Sequence, residues 1–249
     1  MYTRPNDRLD RLQKKFRGQL EKKGILLTDE QCRQFETYYR LLVSWNEKMN
    51  LTGITERPDV YWKHFYDSLA PAFFVDLTTY DQLLDVGSGA GFPAFPLKIA
   101  FPHLRVTVVD SLKKRLTFLD EVSKTLHLND MQTVHGRAEE LGRKKAYREQ
   151  YDFVTARAVA RLNVLCEYCL PFTRLKGLFV AMKTVNYASE VQEATAAIAR
   201  LGGRYTETHT FTLPEQLGGR SIIQIVKDKR TPKEFPRKPG TPAKQPIRS

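Results

Sequence analysis

One segment, LLDVGSGAGFP at residues 83–93, constrains the fold of this chain more than any other. A short apolar run ends with Asp85, three glycines follow at alternate positions, among them Gly87 and Gly89, and Pro93 favours the start of a helix. This strand–loop–helix pattern is typical of a loop that binds a nucleotide-type cofactor in an α/β fold, with a purely structural turn as the alternative. The order G-x-G-x-G, preceded by a carboxylate, differs from the G-x-G-x-x-G of dinucleotide-binding folds and favours S-adenosylmethionine over NAD.

The ends of later predicted strands carry side chains that suit such a cofactor. Asp110 ends the run VTVVD about 20 residues beyond the glycine loop, where a carboxylate can accept hydrogen bonds from both hydroxyls of a ribose. The segment GRAEE follows the third strand, where the chain passes the adenine edge, and Glu139 is either a cofactor contact or a solvated helix start. Arg157 ends the fourth strand, where it meets either a ligand anion or a structural acid.

From residue 82 onward, short β-branched runs alternate with amphipathic segments. The runs QLLDV, LRVTVVD, MQTVH, YDFVTA and GLFVAMK predict parallel strands separated by four helices, and RYTETHTFTL and RSIIQIVKD predict two more strands with an antiparallel ending. The fold class is therefore α/β, with a Rossmann-like, mostly parallel seven-stranded sheet flanked by helices. We assign residues 81–228 to this cofactor-binding domain.

The two ends of the chain are predicted to differ from this core. Residues 1–80 form an N-terminal helical extension, in which a basic helix ends at Gly24 and a longer amphipathic helix begins behind the N-cap Thr28. One or two further helices follow and are interrupted near Pro71. In residues 229–249, a basic tail, five prolines argue against helix and predict an extended, polyproline-like segment that is either mobile or laid over another surface.

The net charge of +12 is concentrated at the two ends. Residues 1–23 hold eight basic and three acidic side chains, and residues 227–249 hold eight and two, so the rest of the chain is nearly neutral. Such arms indicate contact with the phosphates of a nucleic acid, with solubilising tails as the alternative. The candidate RNA-binding residues are Lys113, Lys114, Arg115, Lys183, Arg220, Arg237 and Lys238.

The composition argues against several other classes of protein. Three cysteines are too few for a disulfide framework, and the pair Cys166 and Cys169 has the spacing of one buried helix face. The five histidines form no pair with metal-ligand spacing, and no apolar run approaches the roughly 18 to 20 residues of a membrane span. We therefore expect a cytoplasmic protein with neither a metal nor a membrane partner.

These motifs together resemble the RsmG (GidB) family of bacterial 16S ribosomal RNA methyltransferases. Within the cofactor core the resemblance is carried by LLDVGSGAGFP, VTVVDSLKKRLTFLDEV, GRAEELG and VTARAVARL. Outside the core it is carried by WNEKMNLTGIT, KHFYDSL, RSIIQIVK and TPKEFPRKPGTP, so it covers nearly the whole chain. It implies a class I methyltransferase fold, S-adenosylmethionine as cofactor, and methyl transfer to N7 of guanine 527 in the 530 loop of 16S rRNA.

Position by position, the resemblance implies that the cofactor is contacted by Gly87, Phe92, Ala138, Glu139 and Arg157. Asp85, Gly89 and Asp110 are added as candidate cofactor contacts because of their places in the glycine loop and at the strand ends. No catalytic acid or base is assigned, because guanine N7 carries a lone pair and no proton, so transfer can rest on positioning and electrostatics.

The expected partner is 16S rRNA, or the small ribosomal subunit and its assembly intermediates, bound by a monomer. Two alternatives remain at this point. One is a small-molecule methyltransferase of the same fold, and the other is a non-catalytic RNA-binding protein of ribosome assembly that keeps the fold as a platform.

Overall fold

A seven-stranded sheet forms the centre of the protein. A computed structural model describes residues 9–185 and 187–248. The first eight residues of the predicted basic N-terminal arm lie outside these ranges. The strands are β1 Gln82–Val86, β2 Arg105–Asp110, β3 Met131–His135, β4 Tyr151–Arg157, β5 Thr173–Thr184, β6 Gly203–Thr212 and β7 Gly219–Lys227. Their order is β3-β2-β1-β4-β5-β7-β6, with β7 antiparallel to both of its neighbours and the other pairs parallel. The predicted fold class is confirmed.

One strand is longer than predicted. β5 begins at Thr173, four residues before the predicted run GLFVAMK. The added residues 174–176 are all exposed, and Lys176 has a φ of +65°. They therefore lack the apolar pattern by which a buried strand is recognised in sequence.

The strand order places a ligand crevice at the carboxyl ends of β1 and β4. β1 pairs with β2 on one side and β4 on the other, so the connections leaving these two strands run in opposite directions along the sheet. In open α/β sheets, ligands bind at such a switch point. The glycine loop follows β1 and Arg157 ends β4, so both predicted motifs lie at this crevice.

Helices cover both faces of the sheet. They are α1 Arg11–Glu21, α2 Asp29–Met49, α3 Arg57–Asp59, α4 Asp67–Leu69, α5 Ala94–Ala100, α6 Lys113–Thr125, α7 Ala138–Leu141, α8 Leu162–Cys169, α9 Ala188–Arg200 and α10 Thr241–Lys244. Hydrophobic residues of α1, α2, α5 and α6 pack on one face, and those of α7, α8 and α9 pack on the other. Cys166 and Cys169 are both fully buried in α8, as their spacing predicts.

The N-terminal helices pack into the same hydrophobic core as the sheet. Thr28 and Gln31 form the predicted capping box at the start of α2. Tyr38 on α2 is fully buried, with its ring centroid 5.8 Å from that of Phe95 and 6.4 Å from that of Phe118. Because Phe95 and Phe118 belong to the helices that follow β1 and β2, the N-terminal segment directly supports the cofactor-loop side of the sheet.

A π-helical segment connects α3 to α4. It spans Val60–Tyr66, so the whole stretch from α3 to α4 is one continuous helical run of changing pitch. The run then passes into a 3-10 helix, Ala70–Phe73, at the predicted interruption near Pro71. π-helical turns often occur at functional sites, and this one directs side chains of KHFYDSL toward the crevice, as described below.

The C-terminal tail is laid over the α7–α8 side of the molecule, which is one of the two predicted alternatives. Phe235 and Ile247 are only 3% and 5% exposed and belong to the hydrophobic cluster beneath that face. The prediction that the prolines exclude a helix is wrong for one turn, α10. Pro242 lies in the first turn of this helix, where its missing N–H would have no helical partner anyway.

Within residues 9–185 and 187–248, no helix is both long and apolar enough to cross a membrane. In the same residues, no group of three or more His, Cys, Asp or Glu side chains is arranged to hold a metal ion.

Candidate functional site

The glycine loop can be built only because its alternate residues have no side chain. Gly87, Gly89 and Gly91 have φ of +75°, +60° and +96°, which is left-handed backbone that other residues adopt at a cost. A Cβ on Gly87 would lie 2.7 Å from Cγ2 of Val159, and one on Gly91 would collide with the Tyr38 hydroxyl. A Cβ on Gly89 would have no neighbour within 4 Å. The loop backbone therefore faces open space at Gly89, which suits a bound ligand.

A first cleft of about 300 Å³ opens beside this loop. Its walls come from the ends of β1 and β2, from the loops after β3 and β4 and from the start of α7, and include four of the predicted cofactor residues: Gly87, Asp110, Ala138 and Glu139. Tyr168 of α8, which the sequence does not single out, also lines this cleft.

Asp110 is positioned at the centre of the first cleft. Its carboxylate is almost fully buried, and it accepts hydrogen bonds from the N–H groups of Gly89 (3.2 Å) and Leu112 (2.8 Å). Arg115 Nη1 lies 3.4 Å from Oδ2 of the same carboxylate. These contacts fix the carboxylate at the cleft wall.

Asp85 lies behind the glycine loop and is not among the residues that line the first cleft, so its contact with the cofactor stays a prediction. Its side chain is fully buried and accepts a hydrogen bond from the Ala94 N–H at the start of α5, at 3.2 Å. Burial raises the pKa of this carboxyl to about 6. In the register of the sheet Asp85 pairs with Val108, two residues before Asp110, so the loop covers it. Asp85 thus ties α5 to the loop from below.

A second cleft of about 390 Å³ adjoins the first, and Ala158, with a φ of +56°, lines both. Arg157 lies in its wall, with Nη1 2.9 Å from Oδ2 of Asp67 and the guanidinium 5.1 Å from the ring centroid of Phe92. The Phe92 ring is buried and stacks on His64 at 4.5 Å. Phe92, predicted as a cofactor contact, thus supports Arg157 and His64 from beneath.

His64 is a site residue that the sequence analysis did not single out. Burial, helped by the charge of Arg157, lowers its pKa to about 3, so the imidazole is neutral at physiological pH. Arg157 Nη2 lies 3.4 Å from Nδ1 and can only donate, which leaves the Nε2–H to donate to Thr52 Oγ1 at 2.9 Å. The signal that could have revealed His64 and Asp67 is their polarity within VYWKHFYDSL, a segment that is mostly apolar and aromatic.

The geometry fits a nucleotide-type cofactor, because an open glycine backbone, a fixed carboxylate and a partly apolar cleft meet at the carboxyl ends of the central strands. A comparison with known families decides which cofactor enzyme this is: GidB, described as rRNA small subunit methyltransferase G, matches residues 31–217. The chain belongs to the GidB family. The predicted family resemblance is confirmed.

Curated relatives support the same assignment over nearly the full length. The ribosomal RNA small subunit methyltransferase G of Bacillus pumilus is 56% identical over 232 residues, which are 93% of this chain and 97% of that protein. The protein of the same name from Staphylococcus aureus strain Newman is 57% identical, over 92% of this chain and 95% of that protein.

A solved structure supports the fold independently of sequence. The O-methyltransferase from Bacillus cereus, crystallised in complex with SAH, superposes with a TM-score of 0.55 at 16% identity, covering 77% of this chain and 91% of that one. At this identity the likeness concerns the fold alone, which is that of a class I methyltransferase.

The seven candidate RNA-binding residues of this GidB-family chain fall into three groups. Lys113, Lys114 and Arg115 begin α6 beside the first cleft, and the two lysines are exposed. Lys183 and Arg220 line the second cleft, where Lys183 Nζ is 2.7 Å from Oε2 of Glu190 and Arg220 Nε is 3.3 Å from Oδ1 of Asp67.

The third group, Arg237 and Lys238, lies in the tail. Lys238 is exposed, whereas the guanidinium of Arg237 is engaged by the buried carboxylate of Glu167. The predicted RNA contact of Arg237 would therefore compete with an existing ion pair.

Replacing Asp110 is expected to weaken cofactor binding. In Asp110→Ala the charge-assisted hydrogen bonds to the ribose are lost, which costs on the order of 1.5 to 3 kcal/mol, or a rise in Kd of roughly tenfold to a hundredfold. Isothermal titration with S-adenosylhomocysteine measures this, with Asp120→Ala, an exposed carboxylate on α6, as the matched control. Equal affinities for both variants would refute the ribose assignment.

Proposed function

We propose that this protein transfers a methyl group from S-adenosylmethionine to N7 of a guanine in the 16S rRNA of the small ribosomal subunit. The observation that carries the proposal is the composition of the second cleft, which adjoins the first cleft at Ala158. The second cleft is rich in lysine and arginine side chains, and the carboxylates beside them already form ion pairs. The resemblance stated above makes guanine 527 of the 530 loop the expected target.

The charge of the second cleft favours a polyanionic substrate. Among the described residues, its walls hold Lys63, Arg157, Lys183 and Arg220 but only two carboxylates, those of Asp67 and Glu190. A nucleic-acid backbone brings several phosphates close to its bases, and arginine is well suited to bind them. The surplus of positive charge therefore supports RNA more strongly than a neutral small molecule.

The titratable side chains of this cleft favour a reaction that needs no general base. His64 is neutral, and both of its ring nitrogens have partners. Asp67 lies between two guanidinium groups, and Glu190 accepts from Lys183 and from the Leu162 N–H. Guanine N7 carries an in-plane lone pair and no proton, so it can attack a methyl group without the help of any of them.

Mechanistically, the cofactor supplies a sulfonium methyl group that is electrophilic without further activation. The chain then needs to hold the two reactants in line, which positioning alone can accelerate strongly. The glycine loop and Asp110 would orient the cofactor, and Arg157, fixed by Asp67 and Phe92, would fix the boundary between the two clefts. The apolar side chains of Met182 and Ile222 line the second cleft and would limit the access of water to the reacting atoms.

The shape of RNA restricts the kind of guanine that can enter. The N7 edge faces the major groove, which in an A-form helix is too deep and narrow for side chains to reach. The target is therefore expected in a loop or an opened element, and the exposed side chains of Lys113, Lys114 and Lys238 would hold flanking phosphates. The predicted monomeric state and cytoplasmic location are part of the same proposal.

The proposal predicts the loss of one modification when the protein is removed. Mass spectrometry of 16S rRNA from cells lacking the gene is expected to show one 7-methylguanosine fewer, restored by the wild-type gene. In vitro, an rRNA fragment with 7-deazaguanosine at the target position should accept no methyl group, because it has carbon in place of N7. Methylation of that fragment at the normal rate would refute N7 as the acceptor.

A further inference from the structure

The C-terminal tail makes specific contacts with α7 and α8 beside the first cleft. Its backbone is held in place by two arginines of the segment that follows α7. Arg143 donates to the carbonyls of Glu234 (2.8 Å) and Pro236 (2.7 Å), and Arg148 donates to those of Thr231 (2.7 Å) and Phe235 (2.8 Å). These contacts and the burial of Phe235 give residues 231–240 one defined path over the body of the protein.

The first contact with the cleft region joins Arg237 to Glu167. Nε of Arg237 is 2.9 Å from Oε1 of Glu167, Nη2 is 2.6 Å from Oε2, and the backbone N–H of Arg237 also donates to Oε1 at 2.7 Å. The Glu167 carboxylate is only 1% exposed. It precedes Tyr168, which lines the first cleft.

The second contact joins Gly240 to Glu139. The backbone N–H of Gly240 donates to Oε1 of Glu139 at 2.9 Å, and Gly240 can aim this N–H because it has a φ of +81°. Glu139 is 4% exposed and also lines the first cleft. Within four residues, the tail thus binds one carboxylate that lines the cleft and a second that directly precedes the lining residue Tyr168.

We propose that Arg237 and Gly240 are positioning residues for cofactor binding, because they fix the cleft walls formed by Glu139 and Tyr168. If docking of the tail favours the binding-competent form of the cleft, then bound cofactor must favour the docked tail by the same factor. This inference concerns cofactor binding by a methyltransferase and does not depend on which rRNA atom is modified.

Arg237 and Lys238 allow the positioning role of the tail to be distinguished from a general electrostatic attraction of the tail to RNA. Arg237 and Lys238 carry the same charge at adjacent positions, but only Arg237 has a buried partner, and Lys238 is exposed. If the tail acted only through its charge, replacing either residue would have the same effect on binding. If the tail positions the cleft, replacing Arg237 would weaken cofactor binding, whereas replacing Lys238 would affect only the binding of phosphate.

The first test compares Arg237→Met with Lys238→Met by calorimetric titration of the full-length chain with S-adenosylhomocysteine. Arg237→Met is expected to raise Kd at least about fivefold, a typical coupling between linked sites. Lys238→Met should leave that Kd unchanged while lowering the salt dependence of RNA binding by about one unit of slope. Wild-type cofactor affinity in folded Arg237→Met would overturn the proposal.

A second test uses the wild-type chain, so it does not require any variant to fold. Hydrogen exchange is measured with and without saturating S-adenosylhomocysteine, and backbone amides of residues 237–241 are expected to exchange several-fold more slowly with ligand bound. Strand β6, at the far edge of the sheet, serves as the internal control. Unchanged exchange in 237–241 would mean that the tail is merely structural and would overturn the proposal.

Discussion

A chain that ends at Asp228 is expected to lose most of its stability, and its cofactor affinity with it. The truncation removes Phe235 and Ile247 from a buried cluster, and deletion of a buried Phe side chain alone costs about 3 to 5 kcal/mol. It also leaves Glu167, which is 1% exposed, without its partner, and breaking a buried ion pair costs about 3 to 5 kcal/mol. The total approaches the stability of a whole domain, about 5 to 15 kcal/mol.

Denaturant unfolding of the truncated chain measures this loss, and S-adenosylhomocysteine titration measures the affinity. A chain that ends after Ile247 is the matched control, because it keeps every buried residue of the tail and should unfold like the full-length protein. If truncation at Asp228 lowers RNA affinity but leaves the unfolding midpoint and the cofactor Kd unchanged, the tail is an RNA-binding arm and not part of the fold.

The tail also shows what sequence patterns can and cannot reveal. Its five prolines predict that the tail forms neither a helix nor a central strand, which is wrong only for the single turn of α10 among the described residues. Its docking depends on Arg237 meeting Glu167, 70 positions away, and on Gly240 meeting Glu139, 101 positions away. Contacts at such separations leave no local periodicity, so the sequence left open whether the tail is mobile or laid over another surface.

The sheet, in contrast, could be predicted almost completely. All seven strands follow from short apolar or alternating runs between turn signals, and the capping box at Thr28 marks the start of α2. These are local features, with a period of two residues in strands or 3.6 in helices. These local features determine which elements form. The glycine loop after β1 then shows that the site lies at the carboxyl ends of the strands.

Within the site, the sequence identified residues better than it assigned their roles. Asp85 and Asp110 both follow apolar runs, but pairing of Asp85 with Val108 places it two residues deeper in the sheet. Its side chain points toward the α5 face and not into the cleft. His64 and Asp67 reach the second cleft through a π-helical turn, which changes the usual helical spacing and has no simple sequence pattern.

The glycine loop offers a final prediction, in which two equally small substitutions are expected to damage different properties. Gly91→Ala introduces a Cβ that collides with the Tyr38 hydroxyl and lies 2.9 Å from both Leu119 Cδ2 and Phe95 Cδ2, at a φ of +96°. Backbone strain of about 1 to 3 kcal/mol and a similar cost of overpacking add to about 2 to 6 kcal/mol of lost stability. The shift of Tyr38 would also break its 2.5 Å hydrogen bond to the Ala90 carbonyl, which ties α2 to the loop.

Gly89→Ala is the matched variant, because Gly89 is also left-handed but its Cβ would enter open space. Its cost in stability is expected to be only the backbone strain, about 1 kcal/mol. The added methyl group would instead occupy space needed by the cofactor, so Kd for S-adenosylhomocysteine should rise about tenfold or more. Thermal unfolding without ligand and calorimetric titration of both variants measure the two effects separately. The assignment requires that Gly91→Ala lose mainly stability and Gly89→Ala mainly affinity, and the opposite pattern would place the cofactor away from Gly89.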